Sequence, residues 1–270
     1  MPSNGSSMLK RFREAQLAGI LRLRRLAEDG QLPVPWHGAR PGFSAALRRA
    51  GAPAVIAEYK RASPSRGAIN LTLSPADVAR MYADGGAAAF SVLTERAHFQ
   101  GDLRFLDDMA FAGRPMLRKD FLLDPLQVVE TAATPASALL LIMRMFDSTA
   151  GVREMLQACR DYELEAVCEV FDEADLDMAR WAGAEIIQVN NRDLDSLRTN
   201  LDVSRRLVAK RGAGELWISA SGLETPQQLA DMADLGYDAV LIGTSLMSQA
   251  DPGAALRALT SVAKARGARP

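Results

Sequence analysis

Ionisable residues recur at the ends of short apolar runs in this 270-residue chain, and their types point to proton transfer between lysines and carboxylates. Glu58-Tyr59-Lys60 closes the first run, and strand alternation sends Glu58 and Lys60 to the same face. Arg118-Lys119-Asp120 closes the third run, Glu169 lies at the end of the fifth, and Asn190-Asn191-Arg192-Asp193 follows the sixth. Any one of these is as well explained by a surface ion pair. A series at successive run ends is not, because gathering charges in a fold without a task for them is costly. The last two runs lead into Ser221-Gly222 and Gly243-Thr244-Ser245, where glycine lets the backbone approach an anion closely. Turn chemistry accounts for either glycine alone, whereas their joint position favours a phosphate site.

Composition narrows the chemistry further. Two histidines, His37 and His98, and two cysteines, Cys159 and Cys168, leave almost no material for a metal site, a serine–histidine triad or a disulfide framework, so no metal is expected. A formal net charge of −1 supplies no field to attract nucleic acid or an anionic membrane, so a phosphorylated small molecule must be held locally. The start, Met1 to Ser7, lacks the apolar core of a secretory signal, and the run Ala138 to Met143 is too short to span a bilayer. These features predict a cytoplasmic protein. A monomer or weak homodimer is expected.

The elements that must position these residues are legible from periodicity. Met8 to Ala27 has helical apolar spacing and Gly30 to Gly42 reads as a loop, giving an N-terminal extension over 1–48 ahead of a catalytic unit over 49–270. Eight β-rich runs follow: Ala54 to Tyr59, Ala88 to Leu93, Pro115 to Arg118, Ala138 to Ile142, Glu165 to Val170, Glu185 to Val189, Glu215 to Ser219 and Ala239 to Ile242. Ser74-Pro75, Asp124-Pro125 and Thr225-Pro226 mark helix starts at 75–84, 125–133 and 226–235. Eight alternating units predict a (β/α)8 TIM barrel with a helical extension. An open doubly wound sheet rarely needs eight, and no G-x-G-x-x-G turn follows the first strand. In such a barrel the active site lies at the C-terminal strand ends, where the ionisable residues fall.

Ordered segments then carry a family resemblance from about Met8 to Leu256. They are Ile56-Ala57-Glu58-Tyr59-Lys60-Arg61-Ala62-Ser63-Pro64-Ser65-Arg66-Gly67, Ser91-Val92-Leu93-Thr94-Glu95 with Phe99-Gln100-Gly101, and Leu117-Arg118-Lys119-Asp120-Phe121. Glu169-Val170, Asn190-Asn191-Arg192-Asp193-Leu194, Ser221-Gly222 and Leu241-Ile242-Gly243-Thr244-Ser245-Leu246-Met247 complete the series. The sequence resembles the indole-3-glycerol phosphate synthases, barrel enzymes that close an indole ring with loss of carbon dioxide and water and use no cofactor. The resemblance implies that Lys119 is the general acid on the substrate carbonyl, that Lys60 binds the departing carboxylate, and that Glu169 handles the protons of dehydration. It also implies that Glu58 and Asn190 position these groups, and that Ser63, Ser221, Gly222, Gly243 and Thr244 hold the phosphate with Arg192 nearby. Leu141, Ile142 and Phe99 are candidates for an apolar wall against the aromatic ring.

Two departures stand out. The family motif after the seventh strand usually reads Ser-Glu-Ser-Gly, and here it is Ser219-Ala220-Ser221-Gly222, so Ala220 replaces a carboxylate. Phe171 stands where the family commonly has histidine. The alternatives are therefore a specialised relative acting on a different phosphorylated N-aryl or amino-sugar substrate, and a barrel that binds a phosphate ligand without turnover.

Overall fold

The computed structural model describes residues 7–267; the outer ends of the expected extension and catalytic unit, with most of the Met1 to Ser7 segment, lie outside the described residues. Eight parallel strands hydrogen-bond in sequence order and close on themselves: β1 (Ala54–Tyr59), β2 (Ala89–Leu93), β3 (Met116–Lys119), β4 (Ala138–Ile142), β5 (Glu165–Val170), β6 (Ile186–Asn190), β7 (Leu216–Ala220) and β8 (Ala239–Ile242). Three of them, β3, β6 and β7, run one residue further than their patterns predict. Lys119, Asn190 and Ala220 are thereby the last residues of their strands and are held by the hydrogen-bonded sheet.

Period-2 alternation divides the apolar residues between two cores. One set, including Val55, Val92, Leu139, Cys168, Ile187, Trp217 and Val240, packs outward against the helices. The other, including Ile56, Leu117, Leu140, Val167, Ile186, Ile218 and Leu241, fills the barrel. The helices begin where their caps dictate. Ser74 accepts from Asp77 N, and Asp124/Gln127 and Thr225/Gln228 form capping boxes, each with proline in the first turn.

Helix α1 (Ser7–Glu28) lies against the β3 and β4 side of the barrel. Arg13 Nη2 donates to Met145 O at 2.8 Å, and Gln16 bridges Asp120 Oδ1 at 3.1 Å and Gln127 Nε2 at 2.9 Å. Helix α2 (Phe43–Ala50), which the sequence pattern did not reveal, seals the opposite end. Its first amides, Phe43 N and Ser44 N, donate to Glu165 Oε1 at 2.6 and 3.1 Å, and Phe43 and Leu47 are buried with the lumen residues. No helix among the described residues is long and apolar enough to cross a membrane.

Candidate active site

Alternation and register bring the predicted carboxylates and lysines into the barrel mouth as two pairs. Glu58, inward on β1, lies 2.8 Å from Lys60 Nζ and accepts from Ser91 Oγ of β2 at 3.1 Å. Burial opposes ionisation of Glu58, but the positive charges of Lys60 and Lys119 and the hydrogen bonds from Lys60 and Ser91 outweigh it and hold the carboxyl below its ordinary value. Lys119, at the end of β3, lies 3.6 Å from Glu169 Oε2 of β5. Asn190 Nδ2 donates to Glu169 Oε1 at 3.1 Å, and Gln188 Nε2 donates to Oε2 at 2.5 Å. Each lysine therefore faces an acceptor for its proton.

An apolar surface flanks these pairs on one side. Met8 and Phe12 of α1, Leu93, Phe99, Phe121, Ile142 and Leu241 line it, and Phe12 stacks on Phe121 with ring centroids 3.9 Å apart. Of the predicted wall residues, Phe99 and Ile142 are there. Leu141 is not: alternation on β4 turns it outward into the helix-facing core. Met8, Phe12 and Phe121 were missed. The first two belong to a helix whose destination no local pattern reveals, and Phe121 follows the lysine strand in an irregular segment.

On the other side a recess is lined by the cations Lys60, Arg66 and Arg192, the carboxylates Glu58 and Glu224, and Ser221, Gly222, Gly243, Thr244 and Ser245. Ser221 and Gly222 are both left-handed, with φ of 71° and 80°. A non-glycine residue in that region stores strain that surrounding contacts must maintain. Here Asn191 Nδ2 supplies one by donating to Ser221 O at 3.2 Å. Burial, and then the neighbouring Arg66, push the Arg192 guanidinium below its ordinary value, against the pull of Glu224 and Glu58. Two cations converging on a glycine-lined recess form an environment that an anion relieves. Arg66 was missed as a site residue, although its Ser63-Pro64-Ser65-Arg66-Gly67 turn was visible. Ser63, in the two-residue ladder Ala62–Ser63 with Gly67–Ala68, lines the mouth beside Lys60.

Other polar residues at the strand ends turn away, correcting the expectation that they share one rim. Arg118 points outward on β3, where it donates to Thr131 Oγ1 and Glu130 Oε2, both at 2.9 Å. Asp120 is taken up by Thr94 and Gln16. Asn191 accepts from Ser204 N at 3.1 Å and donates to Ser219 Oγ at 3.1 Å, while Asp193 caps Ser196. Ser219 is itself bonded to Ser204 Oγ at 2.8 Å on the helix side, so it does not stand in for a carboxylate at Ala220. Ala220 faces the lumen, buried between Asn190 of β6 and Leu241 of β8.

A closed (β/α)8 barrel with paired lysines and glutamates at its mouth, an apolar wall to one side and an arginine-lined recess to the other defines a barrel enzyme acting on a phosphorylated small molecule. The family model described as indole-3-glycerol phosphate synthase matches residues 30–259. An indole-3-glycerol phosphate synthase of Roseiflexus sp. (strain RS-1) is 38% identical over 264 residues, covering 94% of this chain and 98% of that protein. Its counterpart from Carboxydothermus hydrogenoformans is 41% identical over 207 residues, covering 76% of this chain and 78% of that one. The chain belongs to the indole-3-glycerol phosphate synthase family. Among solved structures, 3-hexulose-6-phosphate synthase from Salmonella typhimurium matches with a TM-score of 0.61 at 15% identity, covering 77% of this chain and 97% of that one, which shows the shared fold alone.

Proposed function

We propose that the chain catalyses the family's carboxy-lyase reaction, converting 1-(2-carboxyphenylamino)-1-deoxyribulose 5-phosphate to indole-3-glycerol phosphate, carbon dioxide and water in tryptophan biosynthesis. The observation that carries this reading is the placement of Lys60–Glu58 and Lys119–Glu169 between an apolar wall and a cationic recess. The wall takes the aryl ring and the recess takes the phosphate, so the substrate spans the mouth with its carbonyl beside the lysines. Lys119 protonates the carbonyl oxygen as the ring carbon bearing the carboxylate attacks the carbonyl carbon. Lys60 holds that carboxylate until its bond to the ring breaks and carbon dioxide leaves. Loss of water then needs a proton delivered to the hydroxyl, which Lys60 supplies once the carboxylate has left, and one removed from the adjacent carbon, which Glu169 receives.

Glu58 orients Lys60, and Asn190 fixes Glu169 and meets the substrate hydroxyls. Ser63, Ser221, Gly222, Gly243 and Thr244, with Arg192 and Arg66, hold the phosphate. The chain acts as a monomer or weak homodimer. Two buried free cysteines suit a reducing cytoplasm. The test is stoichiometric formation of indole product and carbon dioxide from that substrate by the purified chain; absence of both overturns the reading.

A further inference from the structure

Gln188 lies on the lumen side of β6, wholly buried beside Glu169, and none of the roles above employs it. Strand register sets the contact, because Glu169 and Gln188 are paired positions on β5 and β6. Nε2 of Gln188 donates to Glu169 Oε2, while its Oε1 is buried without a hydrogen-bond partner. A buried amide oxygen that has given up water for no donor is destabilising, and packing alone at this level is met by an apolar residue, as Ile218 shows at the neighbouring position of β7. The unpaired oxygen therefore calls for a use. An ionised carboxyl only accepts hydrogen bonds, whereas a protonated one must also donate, and a carboxamide turned half a revolution about its last torsion presents oxygen where nitrogen stood. The 2.5 Å separation is one that an O–H···O bond also spans.

We infer that Gln188 is a positioning residue that holds Glu169 in both of its protonation states, its amide nitrogen serving the carboxylate and its amide oxygen serving the acid. The inference rests on the proposed role of Glu169 as the proton carrier of the dehydration. When Glu169 takes the proton from the substrate carbon, the Gln188 amide turns and the new O–H donates to Oε1; when the proton leaves, the amide turns back. Gln188 gains and loses no atoms. Asn190 Nδ2 holds the other carboxyl oxygen throughout, so the carboxyl keeps its aim. Lys119 from β3 faces Glu169 directly, and the other charged groups lining the same mouth are Glu58 of β1, Lys60 just after it and Arg192 from the segment after β6. All are retained in the test variants at position 188.

The test is the pH dependence of kcat and KM for Gln188→Met and Gln188→Glu, with Glu169→Gln alongside. Gln188→Met is expected to leave KM within about threefold and to lower kcat about tenfold with the acid limb of kcat in place, because both protonation states lose a partner. Gln188→Glu keeps the side-chain length and shares one proton with Glu169, so its kcat falls as pH rises through the range where the unsubstituted enzyme stays level. Wild-type kcat in Gln188→Met, or a level profile in Gln188→Glu, would overturn the inference and leave Gln188 as packing, and an acid limb displaced in Gln188→Met would overturn it by showing that Gln188 serves one state alone. Should Gln188→Met fail to fold, the profile of Gln188→Glu decides. An acid limb retained in Glu169→Gln would instead remove the role of Glu169, and that of Gln188 with it.

Discussion

The carboxyl of Glu58 occupies the space that a side chain at Gly243 would need. A β-carbon built at Gly243 would lie 3.0 Å from Glu58 Cβ and against its carboxylate. The glycine that follows β8 at the recess thus also sets the seat of the carboxylate paired with Lys60. Gly243→Ala is expected to displace Glu58 and lower kcat/KM about a hundredfold, the scale of an ångström-level misplacement of catalytic groups. Steady-state kinetics beside a thermal melt checks it; unchanged kinetics would mean that Glu58 has room to move without consequence.

Ala220 faces the same lumen with no polar side-chain atoms, and Ser219 is committed to the helix side. Lys60, Lys119 and Glu169 are all in place without a carboxylate there. Ala220→Glu is accordingly expected to leave ring closure unchanged or to raise it. A loss of activity from a folded variant would show that the pocket has adapted around alanine.

Phe12 is buried, stacked on Phe121 and edge-on to His98 at 5.0 Å, and it brings α1 into the wall of the site. Removing the ring takes away apolar contact made equally by substrate and transition state. Phe12→Ala should therefore raise KM about tenfold with kcat within about threefold. Equal loss in kcat and kcat/KM would place Phe12 in the chemical step instead.

The opposite end of the barrel holds one of the carboxyls whose lowered value links stability to pH. The Arg180 guanidinium, with Gly212 N and Trp217 Nε1, holds the Glu215 carboxyl down at about 2, against the opposing effect of burial. A folded value below the unfolded one means that the contribution is complete above the unfolded carboxyl range and is lost as pH falls toward about 2. Glu215→Gln is expected to lower the melting temperature at neutral pH and to flatten its decline between about pH 4.5 and about pH 2. An undiminished decline would assign the acid sensitivity to other carboxylates.

The barrel was legible because eight alternating runs with proline-marked helix starts admit few other closures. The Glu58–Lys60 pair was legible because period-2 geometry decides which residues face inward, whereas Lys119 and Glu169 were legible as strand-end residues and their pairing across β3 and β5 was not. That same rule, applied strictly, would have turned Arg118 and Leu141 outward, where they lie. Phe12 and Met8 were not legible as site residues, because no local pattern fixes where an amphipathic α1 docks. Helix α2 was hidden by its brevity, since eight residues beside a proline- and glycine-rich loop carry little periodic signal. In the sequence Gln188 is one polar letter in a buried strand. Only its register opposite Glu169 and its unpaired oxygen distinguish it.

Under the proposed function, Lys119 supplies the proton that starts ring closure. Its most direct test follows indole fluorescence with 1-(2-carboxyphenylamino)-1-deoxyribulose 5-phosphate, comparing the unsubstituted chain with Lys119→Ala. Product from the first and none from the second is the expected result. Product from both, or none from a folded chain that still binds the substrate, would contradict it.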